Sequence, residues 1–84
     1  MTNKEILKKQ IIYRSTHRGT KEMDILLGSF VKKNINSFED FELIELNNLM
    51  KTDDEILRKW IFEENNKSLL PINKVSILLK KFKL

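Results

Sequence analysis

Thr20-Lys21-Glu22-Met23-Asp24-Ile25-Leu26-Leu27-Gly28-Ser29-Phe30-Val31-Lys32-Lys33, residues 20 to 33, decides the fold. Met23, Leu26, Leu27, Phe30 and Val31 recur at i, i+3, i+4, i+7 and i+8, the spacing of a helix that turns one apolar stripe to a core. Gly28 falls inside this stretch, where glycine costs about 1 kcal/mol relative to alanine. Close approach of a neighbouring helix accounts for it.

Upstream, Lys4 to Ser15 places Ile6, Leu7, Ile11 and Ile12 near one side of a first helix, with Thr2 or Asn3 as N-cap. Downstream, Asn34-Ile35-Asn36-Ser37 is a polar turn, and Ser37 followed by Asp40 predicts the start of a third helix running to about Met50. Phe38, Phe41, Leu43, Ile44, Leu46, Leu49 and Met50 cover more than one stripe, which predicts a central helix buried against two neighbours. Thr52-Asp53-Asp54-Glu55 has the form of a capping box and opens a short fourth helix to about Phe62. In it Ile56, Leu57, Trp60 and Ile61 share a face, with Trp60 as core anchor. Glu63 to Ser68 reads as a polar connection. Pro71 suits the first turn of a last helix, whose stripe is Ile72, Val75, Leu78, Leu79 and Phe82.

No segment alternates with period two, and neither Asn-Gly nor Asp-Gly occurs. The expected fold is therefore all-α, a compact bundle of five short helices in a single domain over residues 1–84.

The chain has 84 residues and no cysteine, which excludes a disulfide framework and a thiolate metal site. One histidine is too few for an all-protein zinc centre. No apolar run approaches the roughly 20 residues that cross a bilayer, so no membrane insertion is expected. The N-terminus, Met1-Thr2-Asn3-Lys4-Glu5, has the order of neither a signal peptide nor a transit peptide, which makes the bacterial cytoplasm the expected compartment and the mitochondrial matrix less so. The net charge of +4 divides into +5 over residues 1–38, −6 over 39–64 and +5 over 65–84. An acidic middle argues against a uniform phosphate-tracking groove. A small basic nucleic-acid-binding protein, with the turn at Thr16 to Gly19 joining a helix-turn-helix-like pair, is the alternative class.

Enzyme readings find little support. His17 and Glu22 could form an acid/base pair, but a histidine beside an arginine on a polar turn is a solvated residue, and no nucleophile joins them. Asp53-Asp54-Glu55 is explained by capping and lacks the spacing of a calcium loop. No catalytic residue and no metal site is expected.

Arg18-Gly19-Thr20-Lys21-Glu22 admits two readings. Gly19 ends the first helix or caps the second, with Glu22 favourable at the positive helix end and Arg18 solvated. Alternatively, Gly19 lets the backbone of another protein or a cofactor come close, and Arg18 and Glu22 supply flanking charge-assisted contacts.

The run Tyr13-Arg14-Ser15-Thr16-His17-Arg18-Gly19-Thr20-Lys21-Glu22-Met23-Asp24-Ile25-Leu26-Leu27 resembles the Arg-Gly-x-x-Glu signature region of the FAD assembly factor SdhE family, the succinate dehydrogenase assembly factor 2 proteins. Leu49-Met50-Lys51-Thr52-Asp53-Asp54-Glu55-Ile56-Leu57-Arg58-Lys59-Trp60 is similar to that family's second segment, an acidic turn followed by a Leu-x-x-Trp helix. His17 stands where bacterial members commonly carry a second arginine, and Thr20 where they often carry methionine.

The resemblance implies an assembly factor that binds the flavoprotein subunit of succinate dehydrogenase, with fumarate reductase as a further client in bacteria. It promotes covalent attachment of FAD to a histidine of that subunit. The flavin and the attacking histidine belong to the partner, so no stably bound cofactor and no catalytic residue is implied here. The implied partner-binding residues are Arg18, Gly19 and Glu22, with His17 and Asp24 beside them, on a chain that is monomeric when free and binds no nucleic acid.

Overall fold

In a computed structural model, residues 2–63 and 70–84 are described. Five helices follow in order: α1 (Asn3–Thr16), α2 (Lys21–Asn34), α3 (Asp40–Met50), α4 (Asp54–Phe62) and α5 (Lys74–Lys81), and the described residues contain no strand. The radius of gyration is 12.1 Å, against about 12 Å for a compact chain of this length.

The α2 stripe behaves as its spacing predicts. Met23, Leu26, Leu27, Phe30 and Val31 are all buried, and Thr20 Oγ1 caps the helix by accepting the Met23 amide at 3.2 Å. Gly28 lets α1 come close, since a Cβ there would lie 3.3 Å from the Thr16 methyl. On α1, Thr2 is the N-cap, accepting from the Glu5 amide at 3.1 Å. Only Ile11 of its four expected apolar residues is fully buried; Leu7 packs at the core's edge, while Ile6 and Ile12 are exposed.

α1 packs against α2 and α3, and α3 also packs against α5, so α3 has the two neighbours that its wide apolar surface predicts. Leu43, Leu46, Leu49 and Met50 enter the core with Phe38, but Phe41 and Ile44 are 60% and 56% exposed. The helix begins later than expected. Glu39, not Ser37, is the N-cap, its amide bonding back to Glu42 Oε1 at 2.8 Å. Ser37 instead donates through its hydroxyl to the Asn34 carbonyl, closing the turn after α2.

Two further starts differ from expectation. Asp53, not Thr52, is the N-cap of α4, and no side chain caps there. The Thr52 hydroxyl donates to the Asn48 carbonyl at 3.2 Å, a bond that ends α3 rather than beginning α4. Pro71 precedes α5 instead of forming its first turn. Asn73 caps it reciprocally with Ser76, and Ile72 is left 60% exposed outside the stripe. Val75 and Leu79 are buried, and Leu78 and Phe82 pack against the core. Trp60 is buried and ties α4 to α5 through its indole N–H, which donates to the Ser76 carbonyl at 2.8 Å. The connection expected from Glu63 to Ser68 lies, from residue 64 on, outside the described residues.

Candidate docking site

α1 ends at Thr16 with His17 as its C-cap, and α2 begins at Lys21 after Thr20, so Arg18 and Gly19 form the link between two packed helices. Gly19 is thus the cap of neither helix. Its backbone is not in the left-handed region, so space rather than conformation must explain the glycine.

The space is taken by Asp54, the first residue of α4. The Gly19 amide donates to Asp54 Oδ2 at 2.7 Å, and a Cβ on Gly19 would lie 3.0 Å from that oxygen. Asp54 Oδ1 accepts from Arg18 Nε at 2.7 Å. One carboxylate therefore receives both residues of the Arg-Gly pair.

Arg18 is not the solvated side chain of the first reading. Its side chain is 9% exposed, and its remaining donors reach backbone carbonyls of three segments: Nη1 to Arg14 and Met50, and Nη2 to Thr52. Those carbonyls belong to α1, the end of α3 and the α3–α4 turn. A rigid planar fork of N–H donors can satisfy such a scattered set of acceptors, which a lysine ammonium cannot. The Arg18 backbone amide in turn donates to Asp24 Oδ1 at 2.5 Å, which fixes the link to the first turn of α2.

Burial alone would raise the Asp54 carboxyl, but the Gly19 amide and the Arg18 guanidinium outweigh it. Together with the charge of Arg58 they hold the group below the ordinary aspartate value.

Of the five residues expected at the site, the fold thus locks Arg18, Gly19 and Asp24 into one turn. Glu22 and His17 sit on its outer side. Glu22 is exposed in the first turn of α2, with no hydrogen bond or ion pair among the described residues. The exposed His17 ring stacks on Tyr13 with centroids 3.9 Å apart and planes at 16°. Its Nδ1 lies 2.8 Å from the Tyr13 carbonyl, and because a carbonyl only accepts, that nitrogen carries the proton. Tyr13, Arg14, His17, Arg18, Gly19 and the 50–54 turn surround an open concavity.

Asp54 is the participant that sequence reasoning assigned only to capping. Three acids in succession, where a cap needs one, were the available signal. The described residues contain no group of His, Cys, Asp and Glu able to hold a metal, and no helix long and apolar enough to cross a membrane.

A family model described as flavinator of succinate dehydrogenase matches residues 9–83, which takes in the whole turn and the Trp60 helix. The chain is similar to the FAD assembly factor SdhE of Acetobacter pasteurianus, 32% identical over 88% of this chain and 65% of that protein. It is 37% identical to the mitochondrial succinate dehydrogenase assembly factor 2 of Dictyostelium discoideum, over 71% of this chain and 43% of the other. It is 32% identical to the FAD assembly factor SdhE of Wigglesworthia glossinidia brevipalpis, over 84% of this chain and 88% of that protein. The chain thus spans less than two thirds of the first two relatives and most of the third. No solved structure matches it. Nothing in these names favours nucleic acid, and the helix-turn-helix reading loses a basic reader because Arg18 is turned inward.

Proposed function

The chain belongs to the family of succinate dehydrogenase flavinators, and from that premise we propose that it binds the flavoprotein subunit of succinate dehydrogenase and promotes covalent attachment of FAD to it. The observation that carries this reading is the family match over residues 9–83, within which the Arg18–Gly19 turn is the most elaborately bonded feature. Fumarate reductase is a further client in this proposal. The chain acts as a monomer, without inserting into a membrane, in the cytoplasm of a bacterium.

The reaction takes place on the partner, which supplies both flavin and nucleophile, and this chain contributes no catalytic residue. The polar groups of the Arg18–Gly19 link are not free to hold a flavin. The Arg18 donors are already taken by Asp54 and three carbonyls, the Gly19 amide is bound to Asp54, and no glycine-rich phosphate loop exists.

In this proposal the partner meets the outer side of the turn. Gly19 and Glu22 are presented there, with His17 beside them, while Arg18 and Asp24 hold the backbone that presents them. The shape offered to the partner is then fixed before docking, so little ordering entropy is lost on binding.

The test is reconstitution. Purified apo-flavoprotein subunit is incubated with FAD, with and without this chain, and covalent flavin is read by fluorescence on a denaturing gel. Faster or more complete labelling with the chain is expected; equal labelling in both reactions would overturn the assignment.

A further inference from the structure

Arg14 occupies the last turn of α1, one helical turn before Arg18, and lines the same concavity. Its carbonyl is held by Arg18 Nη1, so its backbone is fixed by the turn itself. Its guanidinium is not. Among the described residues the side chain makes no hydrogen bond or ion pair, and Nε is buried without an acceptor.

A buried N–H without a partner is uncommon in a folded protein, and an arginine fork is shaped for the two oxygens of a carboxylate. The charges around the concavity point the same way. Arg18 and Asp54 neutralise one another, which leaves Arg14 and Lys51 against Asp53, an excess of positive charge.

We propose that Arg14 is a docking anchor that receives an acidic side chain of the flavoprotein partner, with its two Nη groups donating to the two carboxylate oxygens. The assignment rests on the flavoprotein being the partner. It extends the docking surface from the Gly19 turn back along α1 to a residue outside the Arg-Gly-x-x-Glu run. Arg18 then has a second role, holding the α1 backbone from which Arg14 reaches.

The test measures the affinity of the full chain for apo-flavoprotein subunit by titration, for the wild type, Arg14→Gln and Arg14→Lys, at low and physiological salt. Arg14→Gln is expected to weaken binding about tenfold or more, with a flatter salt dependence, and Arg14→Lys to fall between. Thermal midpoints are expected to stay level or rise in Arg14→Gln, because it removes an unsatisfied buried donor; a purely structural arginine would lower them. Wild-type affinity in Arg14→Gln, while wild-type chain still promotes flavin attachment, overturns the anchor and leaves the function standing. Wild-type chain that neither binds nor promotes attachment overturns both. Titration with free FAD and with inorganic pyrophosphate separates the anion's source: binding of either that disappears in Arg14→Gln would assign the fork to phosphate and overturn the carboxylate.

Discussion

The Gly19 amide donates to Asp54 Oδ2 at 2.7 Å, and a side chain on Gly19 would begin 3.0 Å from the same oxygen. The glycine thus lies tightly against a carboxylate of its own chain, 35 residues away, as well as being available to a partner. Alanine there must push Asp54 by a few tenths of an ångström and strain the Arg18 bond. Gly19→Ala is expected to keep its helices and lose about 1 kcal/mol, a fall in thermal midpoint of roughly 4–8 °C. Gly19→Arg is expected to keep its helical circular dichroism as well, yet abolish promotion of flavin attachment, because the larger side chain stands over the exposed turn. Loss of helical signal in Gly19→Arg would instead assign the glycine to folding alone.

Arg18 is a stability element before it is anything else. Arg18→Lys keeps the charge but has one nitrogen for acceptors that lie on α1, α3 and the α3–α4 turn. A loss of about 2 kcal/mol in urea unfolding is expected, since hydrogen bonds to charged groups contribute about 1.5–3 kcal/mol each and lysine retains some of them. A variant as stable as the wild type would show that water replaces the fork.

Glu22 gives the opposite expectation. It is exposed and unpaired among the described residues, so Glu22→Gln is expected to cost no more than about 0.5 kcal/mol, mainly through the α2 dipole. Promotion of flavin attachment is nonetheless expected to fall at least severalfold. Comparing Glu22→Gln with Arg18→Lys in both assays separates contact with the partner from support of the turn; full activity in Glu22→Gln would remove it from the docking surface.

The helices could be read from the sequence because their apolar spacing is a local property; the turn could not, because its bonds are not. Met23, Leu26, Leu27, Phe30 and Val31 lie on one stripe whatever the tertiary structure, and Trp60 needed only a core to anchor. The reading of Arg18 as solvated failed because two of its acceptors are backbone carbonyls more than 30 residues away, which no side-chain pattern records. Asp54 looked like part of a cap because an acid at a helix start is favourable with or without a distant arginine. The misplaced starts of α3, α4 and α5 share one cause. Ser37, Thr52 and Pro71 are all competent near a helix start, but Glu39, Asp53 and Asn73 hold those positions, and the first two hydroxyls bond carbonyls of the preceding turn instead.

Acid should loosen the turn. Asp54 is held below its ordinary value despite burial, by the Gly19 amide and Arg18, and Glu42 is held low by the Glu39 amide and Lys74. Both carboxyls bind protons more weakly folded than unfolded. Their contribution is therefore complete above the unfolded values, about 4, and is lost as the pH falls from there through the folded values. Urea midpoints are expected to be level from pH 6 to 8 and to decline below about pH 4. Asp54→Asn should start lower at neutral pH and decline less steeply, since one of the two groups no longer titrates. Parallel curves would place the acid sensitivity elsewhere.

Trp60 stands on α4 six residues after Asp54, so the contact that seats this helix also seats the carboxylate at its start. Its indole N–H satisfies the Ser76 carbonyl inside the core, and the Lys80 ammonium lies 4.8 Å from the ring while donating to the Trp60 carbonyl at 2.8 Å. Trp60→Phe keeps most of the apolar volume but loses this bond between α4 and α5, an expected cost of about 0.5–1.5 kcal/mol. Because α5 meets α4 through this bond, amide exchange in α4 should quicken more than in α2, which packs mainly on α1. Uniformly faster exchange would mean that the helices open only together, and the unchanged rate of α4 alone would mean that Ser76 finds another donor.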